Sequence, residues 1–155
     1  MNSLEQRMSN PAALLPDVMT AVKHLTRGIH SAGVPEQTLE LVHLRASQIN
    51  GCTACVHFGV LNAGRIGLST ERMLALPVWR ESPLFDDAER AALALAEAMT
   101  RLADDPGAVD EQIWDAVSAR FGEKELAAII LQIATANFYN RLNTTVRQPP
   151  VDSWV

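Results

Sequence analysis

The chain has 155 residues, of which 48% are hydrophobic and 20% are charged, and its formal net charge is −5. This length is sufficient for one domain with a real core. The acidic balance argues against nucleic acid or an anionic membrane as a partner. No apolar run approaches the ~20 residues that span a bilayer, and no signal peptide is visible. We therefore expect one domain over residues 1–155, located in the cytoplasm.

The first third of the chain is predicted to contain two helices. Residues 1–10 are polar and are predicted to be loose. Apolar residues then recur at intervals of three and four over Pro11–Thr26, which is the spacing of a helix. A second helix is predicted over Pro35–Ile49, because proline suits a first helical position. Glu40 and His43 lie one turn apart on this helix, and the spacing alone slightly favours a partly solvated pair over part of a site.

The only two cysteines, Cys52 and Cys55, follow that helix. Asn50-Gly51 predicts a turn, so a third helix should begin near Cys52 and run to about Ala63. Residues three apart share a helix face, and the two thiols can therefore close into a disulfide with little backbone movement. The positive end of the helix dipole lowers a thiol pKa at this position. These features favour a redox pair, and the alternative is two small buried hydrophobic residues.

Other uses of paired cysteines fit the sequence less well. Covalent haem attachment needs C-x-x-C-H, and here Val56 follows the second cysteine. A structural zinc site needs four ligands, and none of the histidines forms a second pair at a suitable spacing. A thioredoxin-like site needs a sheet, and no segment shows convincing period-2 alternation. We therefore expect neither a metal nor a cofactor. The four histidines are His24, His30, His43 and His57.

The rest of the chain is also predicted to be helical. Asp86 and Glu89 have the spacing of a capping box, which opens a long helix. Glycines and prolines separate the predicted helices. The complete prediction is an all-α domain of about seven helices. The later helices are predicted over Ser69–Leu76, from Asp86 to about Leu102, over Glu111–Phe121 and from near Glu123 onward.

Polar residues continue the apolar stripe of the last helix. Asn137, Asn140 and Arg141 lie on its line, and such residues need hydrogen-bond partners if they are buried. They could face the dithiol, but we favour the interpretation that they hold helix ends together. Residues 148–155 are predicted to be a tail, whose Trp154 would pack on something such as a neighbouring subunit.

An all-helical chain with C-x-x-C at a helix start resembles the carboxymuconolactone decarboxylase/AhpD-like alkylhydroperoxidase family. The resemblance covers about residues 10–145. It rests on residues 40–57, which join a helix, a turn and a dithiol in one order. It also rests on residues 79–95 and on residues 137–141.

The family pattern is a glutamate, eleven residues, C-x-x-C, three residues and a histidine. Glu40, Cys52 and Cys55 fit this pattern, whereas Gly59 stands where the histidine is expected. The decarboxylase branch of the family lacks this dithiol. The resemblance therefore implies a thiol peroxidase more than a decarboxylase.

In such a peroxidase, Cys55 would attack a hydroperoxide and become a sulfenic acid. Cys52 would donate a proton and then close the disulfide, which an external dithiol would reduce. Glu40 would belong to a proton relay. The resemblance also implies a homo-oligomer, a trimer or a hexamer. The alternatives are a thiol–disulfide or redox-sensing module without peroxidase activity and a decarboxylase-type enzyme.

Two histidines could replace the one missing at Gly59. His43 lies one turn from Glu40, whereas His57 is about 200° around the helix from Cys55 and should face away. We favour His43 over His57, but neither of them over a water molecule that fills the space left by Gly59. The peroxidase is expected to be slow, and Gly59→His is expected to raise its rate. Glycine is a poor helix former, so this change is expected to cost no stability.

Overall fold

The computed structural model describes residues 5–150. Within this range the chain forms eight α-helices and one 3-10 turn, without a β-strand. The predicted all-α class is confirmed, with one helix more than the seven expected. The helices are α1 (Pro11–Leu14), α2 (Pro16–His30), α3 (Glu36–Ile49), α4 (Thr53–Arg65), α5 (Thr70–Ala75), α6 (Asp87–Thr100), α7 (Glu111–Ser118) and α8 (Glu123–Val146), and the 3-10 turn is Leu76–Val78.

The first predicted helix is in fact two helices. Leu15 is extended, with φ −116° and ψ 94°, and it separates α1 from α2. The residue before a proline is disfavoured in the helical region, and Pro16 follows Leu15. Helix α2 then continues through Gly28 to His30, beyond the predicted end at Thr26.

Helix α3 is the central element of the fold. It packs against α4, α6 and α8. Leu39 and Val42 belong to one hydrophobic cluster, and Leu41 and Leu44 belong to another. Full burial of each such side chain contributes about 1.5–3 kcal/mol. Helix α3 is therefore fixed by packing on more than one of its faces, and this packing also fixes its C-terminal end, which leads into the dithiol.

The capping box predicted at the start of α6 is confirmed. The Glu89 backbone N–H donates to Asp86 Oδ1 at 2.8 Å, and the Asp86 N–H donates to Glu89 Oε2 at 3.1 Å. Two N–H groups that a helix start leaves without intrahelical partners are thus satisfied.

A buried carboxylate, Glu97 of α6, joins three parts of the fold. It accepts hydrogen bonds from Arg45 Nε at 2.7 Å and Trp79 Nε1 at 3.0 Å, and it pairs with Arg80 NH1 at 2.7 Å. Burial alone would raise the pKa of Glu97. The hydrogen bonds from Trp79, Arg80 and Arg45 outweigh burial and hold this pKa below its usual value of 4.5.

The two ends of the described chain lie together. The Arg7 backbone N–H donates to the Val146 carbonyl at 2.9 Å, and the Arg7 side chain donates to the Thr145 carbonyl at 3.0 Å. The prediction of a loose segment over residues 1–10 is therefore wrong at Arg7. Residues 1–4, and residues 151–155 of the predicted tail with Trp154, lie outside the described range.

Candidate active site

Cys52 and Cys55 lie at the start of α4 and are joined by a disulfide. Gly51 has φ +65° and makes the turn out of α3. Cys52 is the N-cap residue of α4, and its sulfur accepts the Cys55 backbone N–H at 3.3 Å. The predicted turn, helix start and pairing of the two sulfurs are confirmed. Both residues are buried.

An asparagine of α8 contacts one of the sulfurs. Asn143 Nδ2 donates to Cys55 Sγ at 3.3 Å, and Asn143 Oδ1 accepts from Asn10 Nδ2 at 2.7 Å. Asn10 Oδ1 in turn accepts the Ala12 N–H at 3.0 Å, which caps α1. Asn10 fixes the orientation of the Asn143 amide, because it occupies the carbonyl oxygen and leaves the NH₂ group for the sulfur.

Sequence reasoning did not identify Asn143 or Asn10. A signal for Asn143 was present, because it is three residues beyond Asn140 and therefore shares a helix face with it. Asn143 and Asn140 are fully buried, with exposures of 2% and 1%. Nothing in the local sequence around Asn10 indicated its partner.

Glu40 and His43 form a buried pair on α3. Glu40 Oε1 lies 2.6 Å from His43 Nδ1, and Glu40 Oε2 accepts from Asn62 Nδ2 of α4 at 2.5 Å. Glu40 is 5% exposed, and the His43 side chain is 13% exposed, so the solvent-accessible part of the pair is on His43. Because Nδ1 is held by the carboxylate, Nε2 is the nitrogen that His43 offers to another group.

The backbone of Gly59 lies directly against this pair. A Cβ atom at residue 59 would lie 2.5 Å from Leu44 Cδ2 and 2.9 Å from Glu40 Oε1. Leu44 is 2% exposed and has little room to move. The expectation that Gly59→His costs no stability is therefore wrong, because the close approach of α3 and α4 requires glycine here.

A cavity of about 360 Å³ opens beside Cys55. Both His43 and Cys55 line it, whereas His57 does not. Of the four predicted site residues, Cys55 and His43 line this cavity. Glu40 does not line it but contacts His43, and Cys52 lies on the other side of the disulfide. The described residues that line it are Met19, Val22, Lys23, Thr26, His43, Cys55, Phe58, Tyr139 and Asn143.

Tyr139 is the phenolic residue that lines this cavity. Burial raises the pKa of the Tyr139 phenol above its usual value of 10. The phenol therefore stays protonated at neutral pH and can donate a hydrogen bond.

A second cavity, of about 370 Å³, lies on the Cys52 side of the disulfide. Residues of the turn before α4 and of the segment after α8 line it, including Gly51, Arg147 and Pro149. Asn143 borders both cavities. Each sulfur therefore has its own cavity.

The other polar residues of α8 hold the turn that precedes the dithiol. Asn50 Nδ2 donates to Asn140 Oδ1 at 2.8 Å and to Asn137 Oδ1 at 3.0 Å. Asn140 Nδ2 donates to Ser47 Oγ at 2.9 Å. The structural interpretation of Asn137 and Asn140 is confirmed. Arg141 donates to Asn137 one turn earlier on the same helix.

Among residues 5–150 there is no group of three or more His, Cys, Asp or Glu side chains placed to hold a metal ion. No helix in that range is both long and apolar enough to cross a membrane.

The chain matches the model of the carboxymuconolactone decarboxylase family over residues 16–98. This range is more than half of the chain, and the protein belongs to that family. The match includes the Glu40–His43 pair, the dithiol and Gly59. Asn10 and α8, which complete the site, lie outside it.

The chain is also similar to individual known proteins. One solved structure is that of ATU0492 from Agrobacterium tumefaciens, a protein of unknown function described as a candidate antioxidant defence protein AhpD. Its sequence is 33% identical to this chain, and the two structures superpose with a TM-score of 0.85. The match covers 95% of this chain and 99% of ATU0492. YdfG of Bacillus subtilis, an uncharacterised protein, is 25% identical over 84% of this chain and 87% of its own. The debrominase Bmp8 is 25% identical with a TM-score of 0.77, over 88% of this chain and 72% of that one.

Proposed function

We propose that this protein is a dithiol-dependent hydroperoxide reductase. One observation carries the proposal: the Cys55 sulfur, held in a disulfide with Cys52, borders a cavity that His43 also lines, and buried Glu40 holds His43. A reactive thiol, a partner thiol and an acid–base group thus surround one space. Membership of a family with AhpD-like relatives supports the same reaction.

The reaction balances with these groups alone and an external dithiol. The Cys55 thiolate attacks one peroxide oxygen, so that an S–O bond forms, the O–O bond breaks and the alkoxide takes a proton to leave as the alcohol. The Cys52 thiol then attacks the sulfenic sulfur of Cys55, and water leaves. The external dithiol reduces the resulting disulfide by thiol–disulfide exchange and becomes oxidised itself.

The residues around Cys55 have distinct roles in this proposal. The Asn143 amide N–H, which contacts the Cys55 sulfur, would stabilise the thiolate. His43 would deliver the proton to the leaving oxygen, and Glu40 would position its ring and restore its proton. This arrangement replaces a relay through a histidine at residue 59.

Peroxide consumption with dithiothreitol as the reductant tests the proposal. Wild type is expected to turn over cumene hydroperoxide, and Cys55→Ser is expected to abolish turnover. Cys52→Ser is expected to form a sulfenic acid on Cys55, which dimedone labels and mass spectrometry detects. Unchanged turnover by Cys55→Ser would contradict the proposal.

The same assay separates the alternatives. A redox-sensing module would oxidise once, with one equivalent of peroxide, and show no steady-state turnover. A decarboxylase-type enzyme would keep its activity when both cysteines are replaced by serine.

Removal of bromide from an aromatic ring is a second candidate function. It is favoured by the Phe58 and Tyr139 side chains at the cavity and by the similarity to the debrominase Bmp8. Replacing a C–Br bond by C–H needs two electrons, which the Cys52–Cys55 dithiol can supply as it closes to the disulfide. Bromide release from 2,3,4-tribromopyrrole by the reduced protein tests this candidate, and Cys55→Ser is the control.

A further inference from the structure

The cavity beside Cys55 carries one cationic side chain. Lys23 of α2 lines it together with Thr26, one turn further along the same helix. Lys23 is exposed, whereas Cys55 is 3% exposed. Lys23 therefore lies at the solvent side of the cavity, and Cys55 lies at its inner side.

Within residues 5–150, Lys23 has no anionic partner. No Asp or Glu side chain of this range lines the cavity, and Lys23 makes no hydrogen bond or ion pair with any of these residues. The protein as a whole is acidic, with a net charge of −5. The positive charge of Lys23 at the opening of this cavity thus contrasts with the net negative charge of the whole chain.

The remaining wall of the cavity is largely apolar. Met19 and Val22 come from the same helix as Lys23, and Phe58 comes from α4. A volume of about 360 Å³ lies at the small end of the range for ligand cavities. Such a cavity accommodates a compact apolar body with polar groups at both its inner and outer sides.

We propose that the substrate is a hydroperoxide with an apolar body and an anionic head group, which binds with the head group on Lys23 and Thr26 and the peroxide at Cys55. This inference rests on the proposed peroxidase function and names its substrate class. The reaction is the two-electron reduction given above, with an external dithiol as the electron donor. Lys23 takes no part in the bond changes and selects the substrate by charge.

Binding of unreactive probes tests the charge selection without turnover. Isothermal titration calorimetry would compare decanoate with 1-decanol, a neutral molecule of similar size, on the disulfide form of the protein. Decanoate is expected to bind about fivefold more tightly than 1-decanol, as for an exposed ion pair. Lys23→Gln should remove this difference, and Lys23→Arg should retain it.

The other lysine of the chain provides a matched control. Lys124 is exposed at the start of α8 and does not line the cavity. Lys124→Gln removes the same charge from the protein, and the preference for decanoate should remain. If Lys23→Gln binds decanoate as tightly as Lys124→Gln does, the inference is overturned.

A kinetic arm separates failure of this inference from failure of the proposed function. The ratio of kcat/KM for linoleic acid hydroperoxide to that for its methyl ester should exceed one, and it should fall about fivefold in Lys23→Gln. Turnover of both substrates at equal rates would overturn the charge selection and leave the peroxidase standing. Charge-dependent binding without any turnover would overturn the peroxidase and leave an anion-selective cavity.

Discussion

At the scale of single residues, the packing at Gly59 and the contact between Glu40 and His43 are linked. The missing side chain at residue 59 makes room for the Glu40 carboxylate, which then reaches His43 on its own helix and Asn62 on α4. A histidine at residue 59 and the observed Glu40–His43 pair would compete for the same space. In this structure, the small residue at position 59 and the Glu40–His43 contact therefore depend on each other sterically.

Gly59→Ala is predicted to destabilise the protein. The added Cβ overlaps buried Leu44 and the Glu40 carboxylate, and overpacking of this kind costs about 1–3 kcal/mol. Gly64→Ala on the same helix is the matched control, because a Cβ there meets nothing within 4 Å. It should raise the free energy of unfolding by about 0.5–1 kcal/mol through helix propensity. Urea denaturation of the three proteins measures both effects, and equal shifts for the two glycines would refute the packing argument.

His43→Gln is predicted to lower kcat/KM for hydroperoxide by about 10²-fold, since a positioned acid–base group contributes at least this much. His57→Gln is the control, because His57 does not line the cavity beside Cys55. Rates measured across the pH range for both variants check this prediction. A large loss in His57→Gln with little change in His43→Gln would make His57 the relay.

The sequence predicted those site residues whose partners are near in the chain. The C-x-x-C spacing identified Cys52 and Cys55, and the one-turn spacing brought Glu40 and His43 together. Asn143 was missed because its contact with Cys55 spans 88 residues. The close packing at Gly59 was missed because it depends on how two helices cross, which no local pattern encodes.

At the scale of elements, periodicity identified the helices but not all of their ends. The apolar spacing in residues 11–26 is unbroken, and it concealed the restriction that Pro16 places on Leu15. The capping box at Asp86 was predicted correctly because its hydrogen bonds are local. The sequence therefore predicted a helix start whose hydrogen bonds join nearby residues, but it did not predict the break between α1 and α2 within a continuous apolar stripe.

Glu97 makes the junction of α3, α6 and residues 79–80 sensitive to acid. Its folded-state pKa is lower than the usual 4.5, so its stabilising contribution is complete above that pH and is lost as the pH falls through the lower folded-state value. Glu97→Gln should lower the free energy of unfolding by about 3 kcal/mol at neutral pH.

The difference between wild type and Glu97→Gln should shrink as the pH falls from 4.5 through the lower folded-state pKa, because the Glu97 carboxyl takes up a proton first in the unfolded chain and only later in the folded protein. Urea denaturation at a series of pH values measures it. Glu81→Gln, which changes an exposed carboxylate in the neighbouring loop, should alter stability by less than about 0.5 kcal/mol at any pH. A difference that persists undiminished at low pH would show that Glu97 acts by shape and not by charge.

At the scale of the whole molecule, the assembly state is the open prediction. The apolar composition and the family resemblance predict a trimer or a hexamer. Large hydrophobic side chains such as Leu131 and Phe138 of α8 are exposed on the single chain, at 43% and 38%. Multi-angle light scattering should give a multiple of the 16.9 kDa chain mass, and a mass of 16.9 kDa at micromolar concentration would reject the prediction.

The contacts of Asn143 have a consequence for the newly made chain. Asn143 is synthesised 88 residues after Cys55, which takes roughly 5–20 s at ordinary translation rates. During that interval the two thiols exist without the amide of α8 and without the walls that α8 gives to both cavities. Asn10, made 133 residues before Asn143, waits longer still for its partner. The dithiol therefore acquires the Asn143 hydrogen bond and the α8 wall of its two cavities only after α8 has been synthesised and has folded onto the earlier helices.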